Sequence, residues 1–251
     1  MSQVSREWQW VVNLTPVVES LDLKLQESRD LGELVSSGLK VTSLDFSYPN
    51  DLNDTDITHL QNLPLTSLNI RGSYHLTDAG ITHLQNLSLT SLDIRGLYQM
   101  TDAGLTHLKD LPLTYLNLRG IKNLTDAGLT HLQDLPLTSL NLRGIENLTD
   151  AGLTHLQTLP LTSLNLSNCN GLTGAGFIHL QNLSLKFLDL SYCYNLTYDG
   201  LTHIRNLPLE SIDLTGCYKL RGLVHQDKLS GHLLRSEINR HITRTKKDKK
   251  I

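Results

Sequence analysis

The chain has 251 residues, of which 55, about 22%, are leucine and only 5% are aromatic. A core built from one mid-sized side chain suggests a structure repeated along a line rather than one irregular globule. The net charge of −3 hides a split: residues 1–218 carry 12 Lys+Arg against 22 Asp+Glu, while residues 219–251 carry 10 against 3. An acidic body with a basic tail argues against a nucleic-acid-binding domain, which would carry its basic stripe on the fold itself.

Residues 1–19 contain Trp8, Val11, Val12 and Leu14, an apolar cluster suited to capping the unit that begins at residue 20. They lack a basic segment followed by an apolar one, so no classical signal peptide is expected. An apolar run of about 18 residues, the length of a membrane span, occurs nowhere in the chain. Three cysteines, an odd count, fit a reducing, cytosolic setting better than a disulfide framework.

Residues 20–217 repeat. Asp54, Asp78, Asp102, Asp126 and Asp150 lie 24 residues apart, as do Leu44, Leu68, Leu92, Leu116, Leu140, Leu164, Leu188 and Ile212. A degenerate copy at Ser20-Leu21-Asp22-Leu23 brings the number of units to about nine. Within one unit, Thr138 to Arg143 alternates polar and apolar, which predicts a short strand with Leu140 and Leu142 inward. Thr149-Asp150 is a helix-capping signal, and Leu153, Leu156 and Leu159 recur at helical spacing before Pro160 stops the helix. Each unit therefore reads as strand, loop and helix. Strands stack at about 4.8 Å while helix axes need about 8–10 Å, so the stack must curve with its parallel sheet inside.

The unit Leu137-Thr-Ser-Leu140-Asn-Leu142-Arg-Gly-Ile145-Glu-Asn-Leu148 resembles the leucine-rich repeat family, over about four-fifths of the chain. The string Leu-Thr-Asp-Ala-Gly-Leu and the cysteine of Leu164-Asn-Leu-Ser-Asn-Cys169 resemble the cysteine-containing subtype of F-box/leucine-rich-repeat proteins and bacterial effectors. The resemblance implies an α/β solenoid, a horseshoe with its parallel sheet on the concave face. It also implies a non-catalytic scaffold that binds a protein. One implied setting is a bacterial effector acting on host proteins, delivered into a host cytosol. Another is the substrate-recognition module of a ubiquitin ligase. Val4-Ser5-Arg6-Glu7-Trp8 is similar to the end of an F-box, but the rest of that motif is missing and a cap is the simpler reading.

Stacking turns each repeat position into a column. The inward loop column reads Pro49, Ser73, Leu97, Ile121, Ile145, Cys169, Cys193, Cys217. Its thiols are expected to be buried and to donate weak hydrogen bonds to loop backbone. Seven histidines, His59, His83, His107, His131, His155, His179 and His203, should ride the convex helices, partly exposed. One imidazole per helix falls short of the three or four ligands that zinc takes, and no cofactor-binding motif occurs.

On the concave face one column holds Ser or Thr except where Arg71, Arg95, Arg119 and Arg143 occupy four successive rungs, about 5 Å apart. The adjoining column is Asp or Asn throughout, with Asp93 among the arginines. Two readings stand open. In one the arginines splay and bond to the Asp/Asn column; in the other they form a stripe for an acidic surface or peptide. Tyr115 and Phe187 interrupt a serine column on the same face, and Tyr74 and Tyr98 sit in the loops beyond it. Tyr and Phe beside Arg is the composition of a protein-binding patch. Catalysis is not expected, because the serines and histidines would face opposite sides of a core about 10 Å thick.

Residues 218–243 hold Leu229, Leu233, Leu234, Ile238 and Ile242 at helical spacing, which predicts a C-terminal capping helix, and residues 244–251 read as a basic, disordered tail. The chain is expected to be a monomer without nucleic-acid partners. The alternative is a structural module that self-associates through its helical face or its tail.

Overall fold

The computed structural model describes residues 21–25, 30–46, 52–220, 228–229, 232 and 236. The expected N-terminal cap at 1–19 and the tail at 244–251 lie outside these residues.

Among the described residues, ten strands form one sheet in strict chain order. They are β1 (Leu21–Lys24), β2 (Val41–Asp45), β3 (Ser67–Asn69), β4 (Ser91–Asp93), β5 (Tyr115–Asn117), β6 (Ser139–Asn141), β7 (Ser163–Asn165), β8 (Phe187–Asp189), β9 (Ser211–Asp213) and β10 (Lys228–Leu229). From β1 to β9 every neighbour pairs parallel, and from β2 onward the register repeats, so that Leu44, Leu68, Leu92, Leu116, Leu140, Leu164, Leu188 and Ile212 stand side by side. These residues are buried, together with the helix-side leucines such as Leu108, Leu132 and Leu156. The result is a leucine-rich-repeat solenoid with one continuous leucine core.

Two elements differ from the expectation. The convex segments are short, either α-helices of four to seven residues or 3-10 helices such as Gly128–Leu132 and Gly152–Leu156. A 24-residue unit must supply a strand and two crossings of the core, which leaves room for one or two turns, and the narrower 3-10 form fits that space. The second difference is β10. The apolar stripe predicts helix from about residue 227, whereas Lys228–Leu229 pairs antiparallel with β9, supplying partners to a sheet edge that would otherwise expose its backbone. Helical backbone does occur at His232 and Ser236.

The string Thr-Asp-Ala-Gly acts between rungs rather than within one. Each aspartate accepts from the backbone N–H and the hydroxyl of the next rung's threonine. Asp54 does so from Thr77, Asp78 from Thr101, Asp102 from Thr125 and Asp126 from Thr149, with N–H distances of 2.8–2.9 Å. The same threonine oxygen accepts from the alanine N–H, and at Thr77 and Thr101 this caps the helix. A threonine ladder runs beside the strands as well. The hydroxyls of Thr66, Thr90, Thr114, Thr138 and Thr162 each donate to the equivalent carbonyl one rung back, at 3.1–3.2 Å.

The cysteines take the expected place. Cys169, Cys193 and Cys217 are buried, not disulfide-bonded, and donate to the carbonyls of Leu142, Leu166 and Leu190 at 3.1–3.3 Å. Burial pushes the Cys169 thiol up to about 11 and raises that of Cys193 as well, which keeps them protonated and unreactive.

Candidate partner-binding groove

The Asp/Asn column serves the backbone first. Asn69, Asp93, Asn117, Asn141, Asn165, Asp189 and Asp213 each accept, through Oδ1, the N–H of the residue two positions on, at 2.9–3.2 Å. This repeated Asx turn bends the chain at the end of every strand and sets where the arginine column starts. Asp93 has a further duty. Its Oδ2 lies 3.4 Å from Arg95 Nε and accepts from Asn117 Nδ2 at 3.2 Å. Burial nonetheless raises the Asp93 carboxyl above the usual carboxylate range, outweighing the Arg95 N–H, the Arg95 and Arg71 charges and the Asn117 amide that pull it down. Arg119 and Arg143 pair with no carboxylate among the described residues.

After the arginine column the chain enters the left-handed region in seven successive rungs: Gly72, Gly96, Gly120 and Gly144 at φ 69–75°, then Asn168 at 59°, Tyr192 at 60° and Gly216 at 75°. The next residue dips into the core, and the one after it returns to the surface. That surface column reads Tyr74, Tyr98, Lys122, Glu146, Asn170, Tyr194, Tyr218. The Tyr74 and Tyr98 rings stack with centroids 5.3 Å apart and 9° between planes, and Lys122 Nζ lies 5.5 Å from the Tyr98 centroid, within cation–π range. Both rings are more than two-fifths exposed.

A groove of about 320 Å³ opens between these columns. Arg95 and Arg119 line it on the strand side, and Tyr74, Tyr98, Lys122 and Glu146 on the other, with Gly72, Gly96, Gly120 and Gly144 between them. The groove thus gathers four of the residues singled out from sequence, Arg95, Arg119, Tyr74 and Tyr98. Arg71 and Arg143 continue the arginine column at its two ends. Tyr115 and Phe187 are elsewhere, on the open sheet. The Tyr115 hydroxyl accepts from Asn117 Nδ2 at 3.4 Å, and Phe187, 48% exposed, lies in a second groove of about 220 Å³ with Asp189 and Asp213. Lys122, Glu146 and the four glycines were not among the residues the sequence pointed to. Their signal is the same 24-residue spacing, but the column mixes residue types and does not look like a stripe.

The histidines sit on the convex segments, half-buried or exposed, and Gln61 Nε2 donates to His83 Nδ1 at 2.8 Å. No cluster of three or more His, Cys, Asp or Glu residues suited to a metal ion forms among the described residues, and no helix among them is long and apolar enough to cross a membrane.

Fold and surface together define a leucine-rich-repeat solenoid with an open groove along the ends of its strands. The architecture is similar to that of a chain in the crystal structure of the Rad7 and Elc1 complex in yeast, with a TM-score of 0.51 and 18% sequence identity over 76% of this chain and 68% of that one. No protein-family model matches the sequence, and no curated protein matches it.

Proposed function

We propose that the chain is a non-catalytic protein-interaction scaffold, working as a monomer, whose partner presents an acidic surface to the face carrying Arg71, Arg95, Arg119 and Arg143. The observation that carries this reading is the groove itself. Two stacked, exposed tyrosines stand beside Arg119 and Lys122, cations for which the described residues supply no carboxylate. Exposed tyrosine with arginine is what protein-binding hot spots are made of. The leucine core lies between the strand serines and the convex histidines, so these columns offer contacts rather than a nucleophile with its base. The similar yeast chain belongs to a two-protein complex, which is in keeping with a scaffold. Three buried free thiols fit a cytosolic place of work.

The test is affinity capture from lysates with wild-type protein and with the Arg95→Glu, Arg119→Glu double variant. We expect the variant to lose its partners at least tenfold, as reversing two hot-spot charges should. Recovery of every partner at the wild-type level would exclude this face as the binding site. The captured protein, a host protein without ligase components or a ubiquitin-ligase adaptor, separates an effector from a substrate receptor.

A further inference from the structure

We infer that the groove holds an extended, acidic peptide segment of the partner, lying along the solenoid axis across the glycines rather than across the open sheet. The inference rests on the scaffold reading and names the chemistry of its ligand. The groove is continuous over four rungs because the left-handed position is glycine in all four. Backbone conformation does not demand this: Asn168 and Tyr192 occupy the same position with φ near 60°, and a Cβ on Gly120 or Gly144 would meet nothing within 4 Å. Where the position carries a side chain the floor is covered. The Tyr192 ring lies so close over Gly216 that a Cβ there would be 2.6 Å from it. Glycine at 72, 96, 120 and 144 therefore leaves a channel that the fold could have filled.

Four rungs at about 4.8 Å span roughly 14 Å, the length of four or five residues of extended chain at about 3.3 Å each. Charge sets the ligand's sign and direction. Arg95, Arg119 and Lys122 favour carboxylates over the middle rungs, the flat Tyr74–Tyr98 face favours a proline or aliphatic residue at one end, and Glu146 at the other end turns acidic residues away. Stacked tyrosines and cations also suit single-stranded nucleic acid. A polyphosphate, charged at every unit, would meet Glu146 whichever way it lay, whereas a peptide can place a neutral residue there.

Fluorescence anisotropy of the full chain at low ionic strength tests this with three labelled probes: a hexapeptide alternating proline and glutamate, its proline–glutamine counterpart, and a hexathymidine. We expect the glutamate peptide to bind about tenfold more tightly than the glutamine peptide. It should lose about tenfold on Gly120→Tyr, which places at this rung the side chain that Tyr192 carries three rungs on. Gly120→Asn, the equivalent of Asn168, supplies a milder block should the tyrosine variant fail to fold, as judged by circular dichroism. Equal binding of the two peptides, binding undiminished by either folded glycine variant, or tighter binding of the oligonucleotide overturns the inference. Partner capture lost with the double arginine variant but intact with Gly120→Tyr overturns the channel and leaves the scaffold standing.

Discussion

A methyl group added at Gly128 would collide with Oδ1 of Asp102, and the same clash recurs at Gly80, Gly104 and Gly152 with the aspartate one rung back. The glycine of the Thr-Asp-Ala-Gly string is there because its neighbour's carboxylate needs the space, so a motif that looks like a local helix start is a fastener between units. Asp93 shows the opposite balance. It keeps its Asx turn, which Asn69, Asn117, Asn141 and Asn165 make equally well, but burial of its charge outweighs its pairing with Arg95. A carboxyl whose folded pKa lies above its unfolded one contributes most stability at acid pH, below about pH 4, and loses that contribution as pH rises through the folded value. Asp93→Asn should therefore be as stable as wild type or more so at neutral pH, with the advantage shrinking on acidification. Urea midpoints measured from acid to neutral pH check this, and a variant less stable than wild type at pH 7 contradicts it.

Among the elements, the rung at residues 161–184 departs from its neighbours. Gly174 stands where the five preceding rungs have aspartate, with φ +97° and a Cβ, were one added, only 2.8 Å from the Cα of Gly200. Asp150 compensates by accepting from the N–H groups of Gly174 and Gly176, and Thr197 turns to the carbonyl of Thr173 instead of to a carboxylate. Restoring the repeat's usual residue with Gly174→Asp should thus destabilise the protein, by at least the roughly 1–2 kcal/mol that a left-handed non-glycine residue costs. Thermal denaturation reads the effect, and an unchanged or raised melting temperature would show that the close approach is not rigid. The strands, the inward leucines and the buried thiols were legible in the sequence because alternation and a fixed period dictate them. The Asx turns were not, since an alternating polar position says which face a side chain takes and nothing of the backbone N–H it caps. The capping stripe after residue 218 misled at Lys228–Leu229 for a related reason: an open sheet edge competes for the same residues.

At the scale of the molecule, eight parallel strands in register, β2 to β9, and an uninterrupted leucine layer make a solenoid in which each rung leans on its neighbours. Of the groove, the arginine and tyrosine columns could be read from spacing alone. That Tyr74 stacks on Tyr98, that Arg95 is held by Asp93 while Arg119 has no such partner among the described residues, and that glycine leaves the floor between them open are facts of packing between rungs. The groove is formed by residues 24 apart whose chemistry differs, so no single column announces it. The most direct test places a photo-reactive phenylalanine at Tyr98, in the groove, or at Gln133, exposed on the convex side, and cross-links each protein in the lysate that yields a partner. We expect an adduct with the partner from position 98 and none from position 133. An adduct from position 133 alone would put the partner on the helical face and contradict a binding site in the groove.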